Sequence, residues 1–288
     1  MPNSSTMNIM KGTTTTVYNN LTFLYGICII REIIEASLSM PAPPPPLSTL
    51  TEAPMCEKTE VSDPDTLPPW AKITLTSTEA EIEKLISRNE LKDAEVTYFC
   101  QVEPILQDGP QCGLVALAMA SQEYTKPVSV SQLLAEARVR GFTQHGEVYS
   151  VDFMGTLAAE YLPDHRPDIL VDLQQCPDTL THALAHGAMV LIPYDSDFNH
   201  APCLKRGHKA HWALLVGLIS SRQGYHVLAR HGKSRHLACW PLRDLIESNG
   251  NLEEEGTARH AGGYVIPKGG VGGQRGLRGR ALALHPYI

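Results

Sequence analysis

At 288 residues, 43% of them hydrophobic, the chain can bury one large core or two small ones. A net charge of −7 and a pI near 5.9 exclude general nucleic-acid affinity. Seven cysteines, an odd number with no CxxC pair, argue against a disulfide framework and for reduced thiols in a reducing compartment, the cytoplasm.

In chain order, residues 1–40 read as a variable, poorly ordered extension. The apolar run Leu21–Ile30 is broken by Thr22 and Gly26 and is too short for a membrane helix, which needs about 20 apolar residues. It also lacks the basic start and small-residue cleavage site of a good signal peptide. Residues 41–69 form a proline-rich linker, in which Pro41–Pro46 should adopt a stiff polyproline II segment. From the residues alone that segment is a spacer, with a ligand for an aromatic-lined groove as the sharper alternative.

A folded domain is expected over residues 70–288. Ser77 is placed to cap a helix over 78–87, and Val96–Val102 is strand-like. The turn residues Asp108, Gly109 and Pro110 lead into a helix starting at Cys112, with Leu114, Leu117 and Ala118 at helical spacing. Further helices are expected over 131–140, closed by Gly141, over 152–161 with Asp152 as cap, and over 178–186, stopped by Gly187. Strands are expected over 169–173, 188–193, 211–219, 225–230 and 236–240, with Arg222-Gln-Gly224 as a hairpin turn. A short helix over 242–247 and late strands over 263–267 and 281–284 complete the pattern. The glycine-rich segment 269–280 carries three arginines, but it is followed by an apolar run, so it reads as a loop before a closing strand and not as an RNA-binding tail. Helices first and antiparallel strands after is an α+β pattern, with a helical lobe packed on a sheet lobe and a cleft between.

Two residues in this pattern have the context of a nucleophile and its base. Cys112 opens a helix, where unpaired N–H groups and the helix dipole favour a thiolate. His211 opens the apolar strand Trp212–Ile219. His208 competes for the same role, but it lies in a loop, whereas the strand fixes the backbone of His211. Gln107 is placed to aim its amide at a developing oxyanion, alongside the backbone N–H of Cys112. Gly113, with no Cβ, would let a substrate backbone approach. A glutamine, a cysteine opening a helix, and a histidine opening a strand about a hundred residues later is the order of papain-like thiol proteases.

The match becomes more specific in the motifs Gln-x4-Cys-Gly, followed by an alanine-rich helix, and His-Trp-Ala-Leu-Leu-Val-Gly. These resemble the double-glycine-peptidase-like branch of papain-like enzymes and, within it, the actin maturation protease family. That family carries a proline-rich N-terminal segment, a Gly-Pro-Gln-Cys-Gly core and a Gly-Lys-Ser segment after the histidine strand, here Gly232-Lys233-Ser234. The resemblance implies a papain-like fold and a cysteine aminopeptidase that needs no cofactor and removes an N-acetylated Met or Cys from immature actin. It also implies profilin as the partner of Pro41–Pro46. Related peptidases orient the histidine with an Asp or Asn on the next strand. The corresponding segment Val227–Ser234 has no carboxylate, which leaves His231, Ser234 or a backbone carbonyl for that task.

Two other groupings qualify the picture. His182 and His186 have i, i+4 spacing, but neither the glutamate of an HExxH motif nor a cysteine at zinc-finger spacing accompanies them, so no metal site is expected. Lys205, Arg206 and Lys209 cluster before His211, and Arg230, Lys233 and Arg235 after it. In an acidic protein such clusters are either solvated loops or a binding surface for an acidic peptide. Actin's acidic start agrees with the second reading, and Lys205, Arg206 and Lys209 are its first candidates. An isopeptidase or deamidase would use the same residues, and a non-catalytic proline-rich adaptor would use none of them.

Overall fold

The computed structural model describes residues 69–123, 126–256 and 263–287. The expected N-terminal extension and the proline segment lie outside the described residues. Six helices and seven strands make up the described chain, confirming the α+β class. Their bounds are α1 Pro69–Arg88, β1 Glu95–Phe99, α2 Cys112–Ala120, α3 Val130–Val139, α4 Val151–Tyr161, β2 His165–Leu170, α5 Asp178–Ala185, β3 Met189–Asp195, β4 Ala210–Ser220, β5 His226–Arg230, β6 Ala238–Pro241, α6 Leu242–Gly250 and β7 Ala281–Pro286.

All the strands pair antiparallel in one sheet, in the order β2-β7-β3-β4-β5-β6, with β1 also on β4. Strand β4 is the axis of the sheet. Its first half, Ala210–Leu215, pairs with β3, and its second half is gripped between β5 and β1. Every residue from His211 to Ile219 is buried, as expected of a continuous apolar run with neighbours on both edges and both faces.

Helix α2 packs on β3 and β4. Its residues Gly113–Ala120 are all buried, so it has no solvent face, and its sequence is accordingly apolar all round. Alanines at 116, 118 and 120, each at most 1% exposed, keep its cross-section small against the sheet.

Several ends differ from the sequence expectations, each for a local reason. Helix α1 starts at Pro69 and not after a Ser77 cap, because proline at a first helical position forfeits only an N–H that has no partner there. Helix α3 is capped by Ser129, whose side chain accepts from the Gln132 N–H in a capping box. Helix α4 is capped by Ser150, and Asp152 sits in its first turn. There the Asp152 carboxylate takes Arg280 at 2.7 Å and Arg275 at 3.2 Å, tying the glycine-rich loop down just before β7. That loop buries Val271 and Leu277, so it is a loop into a closing strand as expected. The strand expected over 263–267 does not form; those residues are irregular. Strand β2 lies four residues earlier than expected. As an edge strand it tolerates Pro167.

Candidate active site

The loop through Gly109, at φ +70°, delivers Cys112 to the first position of α2 with no side chain capping the helix start. The orphan N–H groups of that turn are left for the sulfur. The backbone N–H of Gly113 reaches it from the helix, and that of Trp212 reaches it from β4. The residue before Trp212 is His211, so helix and strand bring the two sequence candidates to one place. Gly113 serves this approach in a way the sequence did not suggest. A Cβ there would lie 3.1 Å from Trp212 Cδ1, so the space is filled by the indole and is not open to a substrate backbone. The indole N–H in turn donates to the Val148 carbonyl at 2.9 Å, which locks the ring.

The β3–β4 register sets Tyr194 directly opposite His211. The fully buried Tyr194 ring meets the imidazole edge-on at 5.7 Å, and its hydroxyl donates to the His200 carbonyl at 2.9 Å. This holds His200 over the site, its ring 6.4 Å from His211. His231 lies beside His200, 5.6 Å from its ring and 5.9 Å from that of His211, and stacks on Trp240. The loop bearing His200 is anchored by the buried Asp195, whose carboxylate accepts the Lys205 and Gly207 N–H groups.

The expected orienter of His211 is not found among the described residues: its Nε2 is buried without a hydrogen-bond partner. Ser234 is turned away and accepts the His236 N–H at 3.0 Å. His231 Nδ1 faces the Lys233 N–H at 3.4 Å. Position and ring packing, not a carboxylate, hold this imidazole.

Gln107 is fixed twice. Its backbone N–H donates to the Gly232 carbonyl at 2.8 Å, and its side-chain amide donates to the Gly109 carbonyl at 2.6 Å. Only one of its two amide hydrogens is used in that bond. Gly232 lies flat on this residue, since a Cβ there would stand 3.0 Å from Gln107 Cβ and Oε1 and 3.2 Å from Val115 Cγ1. Gly232→Ala is therefore expected to displace the Gln107 amide and lower kcat by about 10- to 100-fold. KM and melting temperature should move little; a change confined to KM would count against an oxyanion role.

Electrostatics correct one expectation. Burial pushes the Cys112 thiol up, outweighing the Trp212 and Gly113 N–H groups and the charge of Lys233, which favour the thiolate. Burial, with the positive partners His231, Lys233 and His200, holds His211 down to about 3. The resting pair is thus thiol and neutral imidazole, and the imidazole is free to accept the thiol proton. Burial also keeps the nearby Tyr149 and Tyr194 phenols protonated.

The first basic cluster is largely spoken for. Lys205 pairs with Asp197, Arg206 with Glu253 and Glu254, and His208 with Glu254 at 2.9 Å. His208 therefore points away from the role His211 fills, and Lys205 and Arg206 are not free cations awaiting an acidic peptide. Lys209 makes no ion pair among the described residues. His182 and His186 stack on each other at 3.9 Å at the end of α5, with His186 Nδ1 2.8 Å from the His182 carbonyl. No group of three or more metal-binding side chains occurs among the described residues, and none of the described helices is long and apolar enough to cross a membrane.

Comparison with known proteins adds to this geometry. Residues 102–219, which contain Gln107, Cys112 and all of His211–Ile219, match the family described as actin maturation protease-like, C-terminal domain. A Drosophila melanogaster protein named actin maturation protease is 39% identical over 194 residues, covering 65% of this chain and 70% of its own. The chain belongs to the actin maturation protease family. The namesake from Mus musculus is 37% identical over 239 residues, covering 67% of this chain and 65% of its own, and that from Homo sapiens is 35% identical over 232 residues, covering 65% of each. The chain thus spans about two thirds of the length of these family members.

In this family member the sequence does not single out Tyr149, Tyr194, His200 or Trp240 as site residues, and it marks Lys233 only within the Gly-Lys-Ser segment and a basic cluster. Tyr194 and Trp240 are apolar positions of strands, and only the register across β3, β4, β5 and β6 brings them to His211. His200 carries a signal in hindsight. It adopts φ +64°, a strained conformation for a non-glycine residue, in a loop of turn residues before the histidine strand.

Proposed function

We propose that this chain is a papain-like cysteine aminopeptidase that removes the N-acetylated first residue, Met or Cys, from immature actin and so contributes to actin maturation. The observation that carries the proposal is the Cys112 sulfur at the start of a buried helix, touched by the backbone N–H that follows His211. The relatives named actin maturation protease supply the substrate. In this reading the neutral His211 takes the thiol proton as sulfur attacks the first carbonyl. Gln107 and the Cys112 N–H hold the oxyanion. Collapse breaks the C–N bond, His211 returns the proton to the departing amine, and water delivered through His211 hydrolyses the thioester.

The working domain is taken as residues 70–288, behind an extension over 1–40 and a linker over 41–69 whose Pro41–Pro46 would meet profilin. The cytoplasm suits the free thiols of Cys112, Cys176, Cys203 and Cys239. The test is intact-mass analysis of an acetylated actin N-terminal peptide incubated with the full chain. Loss of one acetyl-aminoacyl unit is expected. Internal cleavage, or a mass gain of deamidation, would replace the aminopeptidase by a different acyl-transfer reaction.

A further inference from the structure

A short segment follows β5 beside the site. Gly232 is pinned to the oxyanion loop by its carbonyl bond to the Gln107 N–H at 2.8 Å, and it lies flat against Val115 of α2, one turn beyond Cys112. The next residue, Lys233, is therefore carried to the mouth of the site. Its backbone is steadied by His231, whose ring faces His211. The side chain is exposed and makes no ion pair among the described residues.

Three other cations of these clusters are engaged: Lys205 by Asp197, Arg206 by Glu253 and Glu254, and the buried Arg230 by the carbonyls of Val102 and Arg235. Lys209 and Arg235 also make no ion pair among the described residues, but Lys209 acts on Asp197 and Cys203 and neither of the two acts on Cys112 or His211. Lys233 is also close enough to favour the Cys112 thiolate and to disfavour the His211 imidazolium. An exposed, unpaired ammonium at the edge of a nucleophile–base pair is suited to a carboxylate of the bound peptide.

We infer that Lys233 is the residue that selects acidic substrates, by pairing with a carboxylate of the peptide next to the bond that Cys112 attacks. The inference rests on the peptidase assignment above, and it moves peptide recognition from the cluster before His211 to the segment after it. The pairing leaves the Gln107 amide and the Cys112 N–H for the oxyanion. It also places a counter-charge beside the ammonium, so the peptide is held without a cost in buried charge.

The experiment uses the full chain and two acetylated peptides that differ only in carrying acidic residues, or their amides, after the first position. Wild type should favour the acidic peptide by about tenfold in kcat/KM, less at high salt. Lys233→Gln should lose that preference through KM of the acidic peptide alone, Lys233→Arg should keep it, and Lys205→Gln should behave as wild type. A preference that survives Lys233→Gln overturns the inference, as does one removed by Lys205→Gln.

Peptide affinity measured by fluorescence anisotropy on the Cys112→Ala chain separates the two proposals. Binding of the acidic peptide that weakens on adding Lys233→Gln supports the Lys233 contact even where wild type cleaves neither peptide and the peptidase assignment falls. Equal binding with and without Lys233→Gln overturns the contact even where cleavage is robust.

Discussion

Cys112→Ala should abolish release of the acetylated residue, with kcat/KM falling about 10,000-fold or more, as for removal of a nucleophile that acts as a unit with its base. The fold should survive the change. Cys112 occupies the first position of α2, where alanine is a good helix residue, and it is only partly buried against the core, so the thiol is a small part of the packing. A melting temperature within a few degrees of wild type and an unchanged far-UV spectrum would assign the loss to chemistry. Residual turnover near the wild-type rate would remove Cys112 from the mechanism. It would also return weight to a non-catalytic role for the proline-rich segment.

His211→Ala should lose activity on a comparable scale and also change how the protein tolerates acid. The folded His211 titrates near 3 and the folded His231 near 4, against about 6.5 for an unfolded histidine. The unfolded chain therefore takes up protons first as pH falls. Stability from these two groups is intact above about pH 6.5 and is lost progressively down towards 3 to 4. Each costs up to about 1.4 kcal/mol per pH unit within that window. Melting temperatures of wild type should fall steeply between neutral pH and about pH 4, and those of His211→Ala should fall less steeply. His208→Ala should leave activity unchanged, because His208 stands at the surface against Glu254. Equal slopes in wild type and His211→Ala would show that the imidazole is not held neutral by burial.

Much of the fold was legible because local chemistry and tertiary need agree. The apolar run after His211 could only be a buried strand. The small apolar residues after Cys112 made a helix without a polar face. Gly141 and Gly187, both at positive φ, end helices where the sequence placed their stops. The misplaced ends lie where two side chains compete to cap, as Ser150 does with Asp152, or where backbone pairing overrules pattern. Strand β2 owes its register to β7, more than a hundred residues away. The strand expected at 263–267 does not form, and no strand of the sheet pairs with those residues.

The site divides along the same line. Order and spacing by themselves determined the nucleophile candidate, its base and the loop before it, because a thiol at a helix start and an imidazole at a strand start are local placements. Only the tertiary structure decided the electrostatic state of the pair. Burial is a property of the assembled core, and here it outweighs the helix end that favours a thiolate. It also decided which cations are free. Arg206 is neutralised by Glu253 and Glu254, far along the chain, whereas Lys233 is not, and charges pair through space and not along the sequence.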